Sequence, residues 1–374
     1  MPSKRFLFSA VVNQHKFKAA FLANIVNPKI GGLLVSGPKG SGKSTIVRAA
    51  AGILPDYEAV EGCPFNCPPS PPENFCTLCR NRREIKPVRR TMKLITLPLS
   101  CTEDRLIGSI DVENLLKKGE REIVPGILGL VNQNILYIDE VNLMPDHLVD
   151  DILDAAALHW NYIEREGVSV SHPSEFVLIG TMNPEEGDLR PQILDRFPLC
   201  VKIGSIMDPA ERVEIVKRNL LFDNDPAGFE KIFAAEEEKI RNTIIRARAL
   251  LPGVKIGDDL ISCVAQSCAE LKVDGQRPDI VIVKTAVTLA ALAGRNEVRT
   301  DDIVLASELS LVHRTRDGGL LEPPTADEIR EVLNRQRGLS KSTSSEKTSA
   351  TAEITVEIPA ETKPQTLKKN STAH

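Results

Sequence analysis

Gly37-Pro38-Lys39-Gly40-Ser41-Gly42-Lys43-Ser44 has the spacing G-x-x-x-x-G-K-[ST], and the reading of the chain turns on it. The apolar run Leu33-Leu34-Val35 precedes it, and residues 45–54 follow as a helix with Ile46, Val47, Ala50 and Ile53 on one side. A strand, a glycine-rich turn and a helix start gather backbone N–H groups and the positive end of a helix dipole around one anion. The octapeptide is therefore read as a phosphate cradle, with Thr45 opening the helix behind it. Lys43 supplies a cation for the β and γ phosphates of ATP, and Ser44 a hydroxyl ligand for Mg²⁺. A glycine loop that merely turns the chain would need neither the lysine nor the flanking strand and helix.

Downstream, Ile135-Leu136-Tyr137-Ile138 runs into Asp139-Glu140. An apolar strand ending in two carboxylates is what Mg²⁺-dependent hydrolysis requires beside such a cradle. Asp139 holds the metal shell, and Glu140 orients or deprotonates the attacking water. Many strands end at acidic turns; the position of this pair in an alternating β/α chain is what gives it meaning. Residues 176–181 form another buried strand, which delivers Asn183 at its end. Ligands of open parallel sheets sit beyond the carboxyl ends of the strands, so Asn183 falls near the γ-phosphate, although an Asn-Pro turn explains it equally well. Residues 189–197 place Arg190 and Arg196 on a short helix. Arg196 is either a finger reaching a neighbour's ATP or a plain surface charge.

Composition sets the frame. The 374 residues exceed one typical domain, and 42% hydrophobic with 26% charged residues is ordinary for a soluble globular protein. A net charge of −4 gives no overall reason to expect nucleic acid as a partner. No apolar run approaches the roughly 20 residues that span a bilayer, and the N-terminus lacks the apolar core of a signal peptide. The expected compartment is the cytoplasm, where the eight cysteines are thiols or metal ligands rather than disulfides.

The remaining segments fill out an α/β P-loop NTPase with a parallel sheet. A helix at 14–25 carries Phe17, Phe21 and Ile25, and the segment before it is a candidate wall of the base pocket. Strands are expected at 92–97 and 199–203, and helices at 125–132, 147–158 and 208–220. A helical insert is expected at 102–118, ended by Gly119, and a β-hairpin at 162–172 about Gly167. Asp223-Asn224-Asp225-Pro226 marks a boundary. Beyond it the pattern is all helix: 230–250, 258–271, 278–293 and 300–313, the last capped by Thr300-Asp301-Asp302. Such a bundle suits a lid. Arg277 opens the third of these helices, facing the nucleotide or capping in solvent. The expected division is thus an ATPase domain at 1–225, a helical lid at 226–335, and a polar tail at 336–374 that cannot bury enough surface to order itself.

Within the first domain, residues 57–90 change texture and read as a proline-rich loop insert carrying Cys63-x3-Cys67 and Cys76-x2-Cys79. Four thiolates in two close pairs suit tetrahedral Zn²⁺. An iron–sulfur cluster and unligated thiols stay open as well. The basic run that follows has no interleaved aromatic residues, so a solvated face is favoured over a nucleic-acid site.

Taken together, the cradle, Leu136 through Leu143, Trp160-Asn161-Tyr162-Ile163-Glu164-Arg165-Glu166-Gly167, Asn183-Pro184-Glu185-Glu186-Gly187 and residues 189–197 closely resemble the small ATPase subunit of magnesium chelatase. The resemblance runs from about residue 6 to about residue 312. It implies an AAA+ fold with an inserted helix and a β-hairpin, Asn183 as sensor 1, Arg196 as the arginine finger, and Arg277 as sensor 2 on the lid. It also implies a homo-oligomeric ring, commonly a hexamer, with ATP between neighbours. The implied partners are an AAA+ subunit bearing an integrin-type domain and a large porphyrin-binding subunit that inserts the metal. The four cysteines and the polar tail are not part of that family's core machinery. Three other readings stay beside it, the first two being a cobalt chelatase motor and a chaperone-like AAA+ remodeller of a metal-binding protein. A DNA-stimulated motor using the basic loop is the third.

Overall fold

The computed structural model describes residues 5–110, 123–165 and 168–337. Its strands are β1 (Leu33–Ser36), β2 (Asp56–Val60), β3 (Pro87–Thr91), β4 (Leu94–Leu97), β5 (Gly108–Ile110), β6 (Ile123–Pro125), β7 (Ile135–Ile138), β8 (Trp160–Arg165), β9 (Val168–Pro173), β10 (Val177–Met182) and β11 (Leu199–Lys202). Its α-helices begin with α1 (His15–Val26), α2 (Lys43–Ala49), α3 (Thr77–Arg80), α4 (Glu103–Ile107), α5 (Ile127–Leu130), α6 (Asp146–Leu158) and α7 (Pro191–Arg196). They continue with α8 (Pro209–Asn224), α9 (Pro226–Leu250), α10 (Asp258–Glu270), α11 (Arg277–Leu292), α12 (Thr300–Leu311) and α13 (Ala326–Gln336).

Alternation along the strands sorts their side chains onto two cores, one on each face of a parallel sheet. Leu33 and Val35, Ile135 and Tyr137, Val177 and Ile179, and Leu199 and Val201 enter one buried cluster. Leu34, Leu136, Ile138, Leu178 and Cys200 enter the other. The sheet order is β11-β1-β10-β7-β4, every pairing parallel. The loops that leave β1, β10 and β7 therefore open side by side at one edge.

The helical region shares the first of these cores. Ile240, Ile244 and Ala247 of α9 and Val281, Ala286 and Leu289 of α11 join the cluster that holds Phe17, Phe21 and Ile25 of α1. Polar links reinforce the junction. The Arg248 guanidinium donates to the Ile25 carbonyl at 2.6 and 3.2 Å, and Asn27 Nδ2 donates to Thr288 Oγ1 at 3.1 Å.

Several expectations are corrected. Residues 57–90 are no plain loop: β2 and β3 pair antiparallel from Asp56↔Thr91 to Val60↔Pro87, and α3 lies between them. Pro87 is tolerated because it starts its strand. The helical insert is helical over Glu103–Ile107, and β5 then pairs with β6. The rest of that expectation, including Gly119, lies at 111–122, outside the described residues. The hairpin forms as β8–β9, with Trp160 opposite Pro173, and the turn residues Glu166 and Gly167 are likewise outside. The cap of α12 is Asp302, whose Oδ2 accepts from the Arg299 backbone N–H at 2.8 Å. Helix α13 was not foreseen, although Thr325 and Glu328 carry the T-x-x-E signature of a helix start and Thr325 Oγ1 does accept from Glu328 N at 3.2 Å. The tail from residue 338 falls outside the described residues.

Candidate functional site

The turn after β1 must be built from glycine. A Cβ on Gly37 would meet the Ile203 carbonyl oxygen at 2.3 Å, and Gly40 and Gly42 take φ of +79° and +81°. These left-handed positions wrap the chain into a cradle ahead of α2. Lys43 folds back over it, its Nζ donating to the carbonyls of Gly37 at 2.6 Å and Pro38 at 2.8 Å. Ser41 Oγ donates to the Pro38 carbonyl at 2.9 Å.

Across the sheet edge, Ser44 Oγ donates to Asp139 Oδ1 at 3.0 Å, joining residues 95 apart in sequence. Thr181 Oγ1 donates to the same oxygen at 2.7 Å. Burial alone would raise the Asp139 carboxyl, but hydrogen bonding from Thr181, Tyr137 and Ser44 prevails and holds it below its ordinary value of 3.8. A carboxylate kept ionised beside a serine hydroxyl is an oxygen donor pair that suits Mg²⁺. Glu140 stands next in left-handed conformation, φ 55° and ψ 56°, its backbone N–H donating to Thr181 Oγ1 at 3.1 Å. Asn183 is buried at the end of β10, its Oδ1 accepting from Glu185 N at 3.2 Å. With that oxygen engaged, Nδ2 is the group left to donate.

Residues 39–45 face Asp139, Glu140 and Asn183 across a cavity of about 310 Å³. A second cavity of about 500 Å³ shares the cradle and continues between Val11, Val12, Ile206 and Ile215. A polar pocket sized for phosphates thus opens into an apolar one suited to a base and its sugar, and the segment before α1 walls it as expected.

Arg196 and Arg277 lie elsewhere. Neither lines the phosphate cavity of its own chain. Arg196, half-exposed at the end of α7, pairs with Asp150 at 3.2 Å and Asp154 at 2.9 Å on α6, while Arg190 pairs with Asp146 at 2.8 Å. Arg277 stands at the start of α11, open to solvent on one side and packed on the other. Its guanidinium is pushed below its ordinary range by partial burial first and then by the charge of Arg196, so the two arginines occupy one neighbourhood. The four cysteines form a separate buried cluster.

Sequence reading missed Thr181, whose role depends on β10 lying beside β7. It also missed three residues after α12 that hold α7. His313 Nε2 meets the Phe197 carbonyl at 2.8 Å, Thr315 Oγ1 donates to Asp195 Oδ2 at 3.0 Å, and the Arg314 guanidinium donates to the Asp195 carbonyl. These pairs are separated by 116 to 120 residues, and no local pattern announces them.

Comparison with known proteins bears on the family and the fold. A family model described as AAA domain (dynein-related subfamily) matches residues 82–197, and an AAA lid domain model matches 262–333. The magnesium-chelatase subunit ChlI homolog of Methanocaldococcus jannaschii is 49% identical over 332 residues, covering 87% of this chain and 90% of that protein. The chloroplastic magnesium-chelatase subunit ChlI of Chlamydomonas reinhardtii is 43% identical over 338 residues, covering 89% and 81%. Among solved structures, a chain of the complex between magnesium-chelatase subunits BchI and BchD is 40% identical with a TM-score of 0.50, covering 88% of this chain and 99% of its own.

Proposed function

We propose that this chain, which belongs to the ChlI family of magnesium-chelatase subunits, is the ATPase motor of a magnesium-chelatase-type complex. It hydrolyses ATP and passes the resulting conformational change to partner subunits that insert the metal into a tetrapyrrole. The observation that carries this reading is the convergence of Ser44 Oγ on Asp139 Oδ1 at 3.0 Å, in a cavity shared with Glu140 and Asn183.

The roles follow from chemistry. The cradle residues Gly37, Pro38, Lys39, Gly40, Ser41, Gly42, Lys43 and Thr45 bind the phosphates, with Lys43 exchanging its carbonyl partners for phosphate oxygens. Ser44 and Asp139 hold Mg²⁺, which neutralises charge developing on the phosphates. Glu140 orients or deprotonates the attacking water, and Asn183 donates to the γ-phosphate or to that water. Neither Arg196 nor Arg277 lines its own cavity, which supports a ring, a hexamer on the family pattern, in which both serve a neighbour's ATP. The partners are an AAA+ subunit with an integrin-type domain and a porphyrin-binding subunit; that the related BchI forms a complex with BchD supports a second chelatase subunit. The division carried forward is an ATPase domain at 1–225 and a helical lid at 226–335. No helix among the described residues is long and apolar enough to cross a membrane. Eight unpaired cysteines support a reducing compartment such as the cytoplasm.

The test is a pair of variants. Glu140→Gln should retain ATP binding while hydrolysis falls by roughly 10²-fold or more, the scale of a lost general base. Mixing Arg196→Ala with Lys43→Ala subunits should restore hydrolysis above that of either alone, because some mixed interfaces are intact. Undiminished turnover in the first experiment, or no gain in the second, would count against the corresponding role.

A further inference from the structure

The proline-rich segment between β2 and β3 brings Cys63, Cys67, Cys76 and Cys79 together, all buried, their Sγ atoms within 4.8 Å of one another. We propose that these four sulfurs bind one Zn²⁺ as thiolates, and that the ion fastens this module to the β8–β9 hairpin. The inference is independent of the ATPase reading, since none of the four cysteines lines the phosphate cavity.

Distances favour a single tetrahedral ion. Zinc holds sulfur at about 2.3 Å, which separates two sulfurs of a tetrahedron by about 3.8 Å. Cys63 Sγ and Cys76 Sγ stand 3.9 Å apart. A disulfide would need about 2.05 Å. Sulfurs that all meet within 4.8 Å surround one ion, whereas a cluster of several irons would spread them further. The backbone N–H of Cys76 donates to Cys67 Sγ at 3.2 Å and that of Cys79 to Cys76 Sγ at 3.4 Å, bonds that steady thiolate charge. His172, close by, is committed elsewhere: Nδ1 to the Pro173 carbonyl at 2.9 Å and Nε2 to the Asn161 amide at 3.1 Å.

Without a cation the arrangement is unfavourable. Four buried thiolates cannot stand together in a dry cluster unless a metal neutralises them. The apolar company is small: Val60, Phe65, Phe75 and Val170, with Ile85 and Ile123 at its edge. So few contacts cannot order a segment with Pro64, Pro68, Pro69, Pro71 and Pro72 in it.

The module is tied to the segment before β7, where Asn132 Nδ2 donates to the Phe65 and Asn66 carbonyls at 2.9 and 3.0 Å, and separately to the hairpin. Phe65 stacks on His172 with ring centroids 4.3 Å apart and planes at 11°. Thr77 Oγ1 accepts from Ser171 N at 3.1 Å and donates to the Ser171 carbonyl at 3.3 Å. Arg80, next to Cys79, lies over the ring of Trp160 at 5.6 Å. Trp160 is the one tryptophan of the chain, so its emission reports on this junction.

The experiment uses the full chain, without a histidine tag, grown with adequate zinc and iron. Metal analysis should find about one zinc per chain. Titrating the thiols with a mercurial should release that zinc as four thiols react, and Trp160 emission should shift in step, while MgATP affinity stays within about twofold. Exchange to Co²⁺ should give the visible bands of a tetrahedral tetrathiolate. A Cys76→Ser/Cys79→Ser variant should lose the metal; if it fails to fold, the titration and the cobalt spectrum of the unaltered chain decide. A folded, ATP-binding preparation with less than about a tenth of an equivalent of zinc overturns the site. Iron with acid-labile sulfide in its place overturns the choice of metal. Zinc release that leaves Trp160 emission unchanged overturns the fastening role.

Discussion

Thr181 ties the two carboxylate residues of the site together, donating to Asp139 Oδ1 and accepting from the Glu140 backbone. The second bond matters because a left-handed conformation costs a residue such as Glu140 roughly 1–2 kcal/mol. Thr181→Val keeps the shape and deletes both bonds. A hydrogen bond to a charged group is worth about 1.5–3 kcal/mol, so MgATP hydrolysis should drop tenfold or more, with Thr181→Ser retaining most of it in a steady-state assay. The pH dependence has a defined sign. Asp139 is held below 3.8 and stays charged as pH falls toward that value, so the unaltered chain should show no acid limb from it above about pH 5. Losing the Thr181 bond raises the carboxyl and should move an acid limb upward. The sequence announced the cradle and Asp139 because both are local patterns. Thr181 read only as part of a strand, since its partner is defined by the register that sets Gly180 beside Ile138.

Helix α7 is held from two sides, and magnitudes separate the two grips. Toward α6, Arg196 and Arg190 meet Asp146, Asp150 and Asp154, spaced one turn apart, in pairs that are largely exposed. Such pairs are worth about 0–1 kcal/mol each, so Arg196 can leave them for a phosphate. Asp150→Ala should accordingly lower stability by less than about 1 kcal/mol in a denaturant titration. Toward the lid the contacts are buried or half-buried. His313 has Nε2 on the Phe197 carbonyl and, among the described residues, no partner for Nδ1. Burial first, then the Arg314 charge, pushes it from 6.5 down to about 3. The folded chain holds it neutral while the unfolded chain protonates it, so this contribution is intact above about pH 6.5 and declines as pH falls toward 3. Thermal melts should show stability falling by up to about 1.4 kcal/mol per pH unit in that window. His313→Gln, which keeps a donor without the titration, should flatten that part of the slope. Helix positions were legible here from period and caps, α3 and α13 excepted. The grip on α7 was not, because it joins segments 116 to 120 residues apart, two of its three contacts running to backbone carbonyls, which carry no residue signature.

At the scale of the molecule, the ATPase sheet and the helical region are one hydrophobic body joined through α1. Phe21 is wholly buried there, 5.6 Å from both Phe8 and Phe17, so Phe21→Ala should cost about 3–5 kcal/mol and loosen both regions in one unfolding transition followed by calorimetry. The proposed ring predicts a further behaviour. With Arg196 and Arg277 outside the lining of their own cavity, the proposed ring leaves a lone chain without two cations of the site. Specific ATPase activity should therefore fall on dilution, in parallel with dissociation seen by sedimentation. Constant activity per chain at concentrations where only monomer sediments would argue for a site complete in one subunit. The α/β class, the parallel sheet and the family were legible in the sequence. Which way the two arginines face was not, since it depends on how the bundle seats against α7.

That seating has a mechanical corollary. His313 and Arg314 clasp the backbone carbonyls of Phe197 and Asp195, and Thr315 the Asp195 carboxylate, on either side of Arg196, so the bundle cannot tilt without carrying that arginine with it. Arranged in a circle, such subunits would be geared: whatever a bound nucleotide does to one lid is delivered, as the swing of a single guanidinium, to the next subunit along.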